Sequence, residues 1–234
     1  MLQALREEVL RANLLLPKSG IVLFTWGNVS GIDREAGLVV IKPSGVPYEE
    51  LTADNMVICD LCGKVIEGDL RPPSDLATHL VLYKAFPGIG GVTHTHSMYA
   101  TSFAQAGKAI VPYGTTHADY FDGEIPCTRK MKKAEIASDY EKNTGLVIAQ
   151  TFAKTDPDRM HAVLVHSHGP FTWGKDPVAS VEASVVLENV AQLAMNTELL
   201  QHTAECTAQR PMQKELLRKH FDRKHGPGAY YGQK

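Results

Sequence analysis

Two His-x-His pairs are the residues of this sequence best suited to chemistry. His94-Thr95-His96 ends the run GGVTHTHS, and His166-Ser167-His168 stands just before Gly169-Pro170. Side chains at i and i+2 on a strand project from one face, so both imidazoles of a pair can reach the same ion. Three neutral imidazoles plus an open position make a catalytic zinc-type site. One such pair alone is as readily a coincidence. Two, each closing a predicted strand, point to a metal. Asp75, in the first turn of a predicted helix, could add a carboxylate, or could be an acid stabilised by the helix dipole.

Small-residue turns form a second group: Gly27-Asn28, Ser44-Gly45 with Lys42 just upstream, and Ser74. Backbone N–H groups and hydroxyls in turns and at helix starts can cradle a phosphate. Any globular protein has such turns, so they carry weight only beside other signals. The polar run Thr115-Thr116-His117-Ala118-Asp119-Tyr120 follows apolar Ile110-Val111 and suggests a site loop, with Thr115 a candidate substrate contact. Ala229-Tyr230-Tyr231-Gly232 puts two aromatics on a Gly/Pro-rich tail, read locally as tyrosines packing on the body.

The elements that must hold these groups follow from periodicity and punctuation. Leu2, Leu5, Val9 and Leu14–Leu16 predict a first helix, ended by Pro17 and Gly20. IVLFTW (21–26), LVVIK (38–42), MVICD (56–60) and KVIEG (64–68) predict strands, with Pro and Gly between them. Ser74 is the expected N-cap of a helix over about 75–86 whose apolar face includes Leu76, Leu80 and Phe86. GGVTHTHS and AVLVHSH (162–168) read as strands, MYATSFAQA as a helix, 133–153 as helical, and FTW (171–173) as a strand. Asp176-Pro177 opens a long helix to about Leu200, and Pro211 starts a last one that stops before His225. The stretch from Asp119 to Lys132 shows no clear pattern. Hairpin-linked strands interleaved with helices predict an α/β fold: three layers, αβα, with a central, mainly antiparallel sheet covered on both faces.

A chain of 234 residues with 44% hydrophobic and 21% charged side chains fits a single domain, 1–234. Its net charge of -2 offers no basic face for nucleic acid. Arg6, Glu7, Glu8 and Arg11 interrupt the N-terminus as a signal core, and no run of about 18 apolar residues is evident, so no membrane role is expected and the cytoplasm is. Cys59-Asp60-Leu61-Cys62 lacks a second C-x-x-C and lies between two predicted strands, so it reads as a hairpin.

Taken together, TWGNVS (25–30), IKPSGV (41–46), PSD (73–75), GGVTHTHS (90–97), GTTHADYF (114–121), IPCTR (125–129), VLVHSHGPFTWGK (163–175) and KHGPGAYYGQ (224–233) resemble the L-ribulose-5-phosphate 4-epimerases of the class II aldolase superfamily. The match runs in order from about residue 2 to residue 233. The resemblance implies that His94, His96 and His168 bind zinc or another divalent metal, with Asp75 the carboxylate at the metal. His168 is chosen over His166 because the family's histidine directly precedes Gly-Pro. It assigns Asn28, Ser44, Gly45 and Ser74, with Gly27 and Lys42, to the phosphate turns of a sugar phosphate site. Asp119 and Tyr231 match the acid–base pair, Tyr231 on a C-terminal catalytic tail (226–234). A homotetramer with sites between subunits is implied. Where the family has two serines before the aspartate, this chain has Pro73, one hydroxyl fewer in the cradle.

The proton at C4 of a 2-ketopentose is not next to the carbonyl, so a simple base cannot epimerise it. Transient oxidation would need a nicotinamide, but Thr93 stands where Gly88-Ile89-Gly90-Gly91 would need its third glycine, so no NAD is expected. Retro-aldol cleavage of C3–C4 remains. It needs a Lewis acid for the enediolate, a phosphate cradle, and two proton carriers on opposite faces. A sister aldolase acting on L-fuculose 1-phosphate would have a glutamate at Asp75, and a non-catalytic adducin-like module would have no use for three metal histidines. Arabinose and ascorbate breakdown both use the epimerisation.

Overall fold

Among the described residues, short β-branched runs set apart by Gly and Pro build seven strands into one sheet. They are β1 (Asn28–Asp33), β2 (Leu38–Ile41), β3 (Val57–Asp60), β4 (Val65–Glu67), β5 (Gly91–His94), β6 (Ala162–Leu164) and β7 (Pro170–Gly174). The order is β4-β3-β2-β1-β5-β7-β6, and each neighbouring pair is antiparallel. The computed structural model describes residues 1–203 and 211–230. Around the sheet stand α1 (Gln3–Lys18), α2 (Leu76–Ala85), α3 (Met98–Ala106), α4 (Thr115–Ala118), α5 (Lys133–Ala137), α6 (Tyr140–Thr151), α7 (Pro177–Thr203) and α8 (Lys214–His225).

Alternation along the strands splits the core in two. Val29, Val40 and Ile58 face Val9, Ala12 and Leu16 of α1 and Val181 of α7. Ile41, Val57, Val92, Phe171 and Trp173 face Leu76, Leu80 and Tyr83 of α2 and Ile148 of α6. The expected three-layer αβα arrangement is therefore the observed one. Buried Asn13 fastens α1 to the start of β1: its amide donates to the Val29 carbonyl (3.1 Å) and accepts from the Val29 N–H (2.9 Å). A Cβ on Gly90 or Gly91 would run into the Lys175 or Asp176 carbonyl, so these glycines serve the close passage of the β7–α7 connection.

α7 is long and apolar enough over Pro177–Gln201 to cross a bilayer, which the sequence reading passed over. Here it packs on the sheet. Thr93 Oγ1 meets Ser180 Oγ at 2.7 Å, and Thr172 Oγ1 meets Ser184 Oγ at 2.6 Å.

Several local expectations need correction. IVLFTW is not a strand. Phe24 takes a left-handed φ of 51°, and Leu23 and Phe24 are 64% and 80% exposed, so this apolar run is a surface loop. The strand forms just after it, where Asn13 holds Val29. The cap position of α2 belongs to Asp75 rather than Ser74, without a side-chain cap bond. The 133–153 segment is two helices, broken at Ser138, whose ψ of -135° leaves the helical region. α8 starts three residues after Pro211 and includes His225. The Cys59–Cys62 segment is the expected hairpin turn, Cys59 buried and Cys62 exposed.

Candidate metal centre

Sheet register sets Asn28 of β1, His94 of β5 and Phe171 of β7 side by side. The His94 ring stacks on Phe171 at 4.1 Å. Its Nδ1 lies 2.9 Å from the Pro170 carbonyl, which can only accept, so Nδ1 carries the proton and Nε2 offers a lone pair. His96 lies two residues beyond the end of β5, its Nε2 3.1 Å from that of His94.

His168 arrives differently from the strand pairing that its spacing predicts. β6 ends at Leu164, and Ser167 turns the chain with a left-handed φ of 61°. That turn separates the two histidines it joins. The His168 ring comes within 4.8 Å of His94 and 5.1 Å of His96, centre to centre. The His166 Nδ1 instead pairs with Ser167 Oγ at 2.7 Å. One ring nitrogen from each of His94, His96 and His168 lies within 4.8 Å of the others.

Asp75, at the start of α2, accepts a hydrogen bond from Asn28 Nδ2 at 3.0 Å. Burial works to raise its carboxyl, but His94 and the Asn28 N–H outweigh that and hold it below the usual range. Burial, helped by neighbouring His94, pushes His96 down. Burial, then His94 and His96, pushes His168 down to about 4. Near neutral pH the two are therefore unprotonated donors. Three imidazole nitrogens converging beside an ionised carboxylate fit a divalent cation, whose ligands must be deprotonated.

Gly27, Asn28, Lys42, Ser44, Gly45 and Ser74 line one cleft of about 450 Å³ together with Asp75, His94 and His96. Gly27 needs its φ of 92°, and a Cβ there would come within 3.0 Å of the His94 carbonyl. Lys42 is buried, which lowers its ammonium to about 8. It lies over the Tyr48 ring at 5.0 Å and donates to the Pro43 carbonyl at 3.3 Å. A cation held this way at the cleft wall favours an anionic ligand. Asn28 Oδ1 is buried without a hydrogen-bond partner.

Thr115 and Asp119 do not line this cleft. Thr115 is exposed at the first residue of α4. Asp119 follows α4 and is gripped by α8: Arg223 donates to both carboxylate oxygens (3.0 and 2.7 Å), and His220 Nδ1 lies 3.0 Å away. Burial alone would raise Asp119, but Arg223 and His220 hold it low. Tyr231 lies outside the described residues.

Three neighbours of the site escaped the sequence reading. Tyr140 places its hydroxyl 3.4 Å from His168 Nδ1, and Trp26 sets its ring 6.5 Å from His96. His79 follows Asp75 by one helical turn, a spacing that could have drawn attention to it.

Fully buried His79 and nearly buried His117 make an acid weakness. Burial pushes them down to about 3 and about 4. The unfolded chain protonates each below about pH 6.5, so between pH 6.5 and 4 the unfolded state binds the extra protons and folding weakens as pH falls. At pH 4.5 the two together cost about 5 kcal/mol on the scale of 1.36 kcal/mol per pKa unit. We expect calorimetry of metal-free protein to show Tm lower by roughly 10–20 °C at pH 4.5 than at pH 7. An unchanged Tm would mean that the two rings titrate normally.

The Class II Aldolase and Adducin N-terminal domain model matches residues 7–195. An L-ribulose-5-phosphate 4-epimerase, UlaF, of Salmonella paratyphi C (strain RKS4594) is 53% identical over 233 residues, covering 100% of both chains. Among solved structures, an L-fuculose 1-phosphate aldolase superposes with TM-score 0.74 at 21% identity, over 92% of this chain and 95% of its own. The L-fuculose-1-phosphate aldolase of Thermus thermophilus gives 0.68 at 22%, over 85% and 96%. At those identities the two structures speak for the fold alone. The family match over most of the chain and the full-length relative show that the chain belongs to the class II aldolase and adducin N-terminal domain family.

Proposed function

We propose that this protein is an L-ribulose-5-phosphate 4-epimerase, interconverting L-ribulose 5-phosphate and D-xylulose 5-phosphate by breaking and remaking the C3–C4 bond. The full-length relative of that name, 53% identical, supports the reaction. The observation that carries the reading is the shared cleft: His94, His96 and Asp75 border the same space as Lys42 and the small-residue turns. A divalent ion, zinc on this donor set, held by His94, His96 and His168 with Asp75, supplies Lewis-acid stabilisation of the charge that develops as the bond breaks.

The chain's own residues do the rest. Lys42 and the turns at Gly27, Ser44–Gly45 and Ser74 hold the phosphate, so the released aldehyde can rotate without diffusing away. The unpaired Asn28 Oδ1 accepts from a substrate hydroxyl. Asp119 and Tyr231 exchange the C4 hydroxyl proton, one on each face of the aldehyde. Arg223 and His220 keep Asp119 ionised, ready to accept. Asp119 and Thr115 do not line their own chain's cleft, so they serve a neighbour's, in a cytoplasmic homotetramer with sites between subunits. The exposed Leu23, Phe24 and Met98 near the cleft's Trp26 and His96 favour a covered surface there. The whole chain, 1–234, acts as one domain, with the tail from Gly226 closing over substrate.

The direct test is conversion of L-ribulose 5-phosphate without added NAD. Absence of conversion by metal-loaded protein, or a nicotinamide requirement, sinks the proposal. Tyr231→Phe should lower turnover by about a hundredfold, the scale of a lost acid–base group, while Tyr230→Phe should not. Wild-type rates for Tyr231→Phe would leave the tail only structural.

A further inference from the structure

His79 is wholly buried on α2, beneath the histidine cluster, and the reaction just described leaves it without a task. Its ring meets the edge of Phe171 at 6.0 Å, the residue on which His94 stacks. Its Nδ1 lies 2.7 Å from Ser30 Oγ, which is 2.8 Å from the Tyr83 hydroxyl. Its Nε2 is buried and has no hydrogen-bond partner. Such an atom lowers stability unless it acquires a partner in some functional state.

The hydroxyl chain indicates where the imidazole proton sits. If Tyr83 donates to Ser30 and Ser30 donates to Nδ1, both hydroxyl protons are used, and the neutral ring carries its own proton on Nε2. The reverse order asks Tyr83 to find a further acceptor inside the core. Burial keeps the ring neutral, its pKa pushed down to about 3. The titratable groups that act on it are Asp75 and His94. Asp75 precedes it by four residues, which puts both on one side of α2. Asp75 Oδ2 already accepts from Asn28.

We propose that His79 is a positioning residue for the metal centre: its Nε2–H donates to the Asp75 carboxylate when the divalent ion is bound, fixing the orientation of that carboxylate. The inference rests on the reading of Asp75 as part of the metal site. It uses a buried donor that no other group of the fold engages.

Two substitutions separate the ring's two nitrogens. His79→Asn keeps a group that can meet Ser30 but removes the donor at Nε2. His79→Gln places an amide N–H near Nε2 and gives up the Ser30 contact. Zinc affinity, measured by competition with a chromogenic chelator, should fall roughly ten- to a hundredfold in His79→Asn, the usual range for a lost outer partner of a ligand. His79→Gln should stay close to wild type, and the two metal-free Tm values should be similar. In an Asp75→Ala background, His79→Asn should cause no further loss. If Asp75→Ala weakens zinc binding but His79→Asn does not, His79 is only a core residue and the proposal is wrong. If Asp75→Ala itself leaves affinity unchanged, the reading of Asp75 fails, and the proposal with it. Should either His79 variant not fold, the wild type decides: in ¹⁵N-histidine-labelled protein the His79 Nε2–H resonance should become exchange-protected on zinc loading. An unchanged resonance overturns the inference.

Discussion

His168→Asn is expected to strip the protein of bound divalent metal and lower turnover by about a thousandfold or more, whereas His166→Asn leaves both within about twofold. The two residues flank the same serine and meet opposite fates in space. The left-handed turn at Ser167 sends His168 toward His94 and His96, while His166 pairs with the Ser167 hydroxyl. Removing one of three imidazoles leaves the ion too few strong ligands. Removing His166 breaks one partly exposed hydrogen bond. Metal content of purified variants, with circular dichroism as a check on folding, measures this directly. Loss of metal from His166→Asn and its retention in His168→Asn would falsify the assignment.

The second large effect concerns sites shared between chains. Asp119→Asn and His94→Asn should each be nearly inactive, by about a hundredfold or more, because in the proposed roles one lacks a proton carrier and the other a metal ligand. Mixed under conditions that allow subunits to exchange, they should recover about a quarter of wild-type activity. Random assembly pairs an intact cleft with an intact Asp119 at that frequency when the two come from different chains. The motivation is that Asp119 is bound by α8 of its own chain and does not line its own cleft. No recovery, with exchange verified by mass spectrometry, would place Asp119 and the histidines in the service of one chain's site.

How much of this could be read from residues alone depended on how local each cause is. The β2, β3 and β4 strands and the Cys59–Cys62 turn follow from alternation and Gly punctuation, which act within a few residues. IVLFTW misled because an apolar run says nothing of what covers it, and Leu23 and Phe24 are exposed in the single chain. The His94–His96 pair was legible from spacing. His168 was legible only through the family motif, because an i, i+2 rule assumes a strand, and Ser167 breaks it. The grip of Arg223 and His220 on Asp119 spans about a hundred residues, and no short-range pattern foretells it. His79 stayed hidden because its one legible signal, a place one helical turn after Asp75, does not separate a satisfied core histidine from one with an idle nitrogen.

The hydrogen bond from His94 to the Pro170 carbonyl bears on how this centre can drift. Its acceptor is main chain, so no exchange of side chains can delete it. Substitution of Phe171 or His96 leaves that acceptor in place, and with it the tautomer that turns Nε2 toward the cluster. Only an insertion or deletion that slides β7 against β5 would disturb it. Such a slip would also move Phe171 from under the ring, so inheritance of the ring's aim is tied to strand register rather than to any codon nearby.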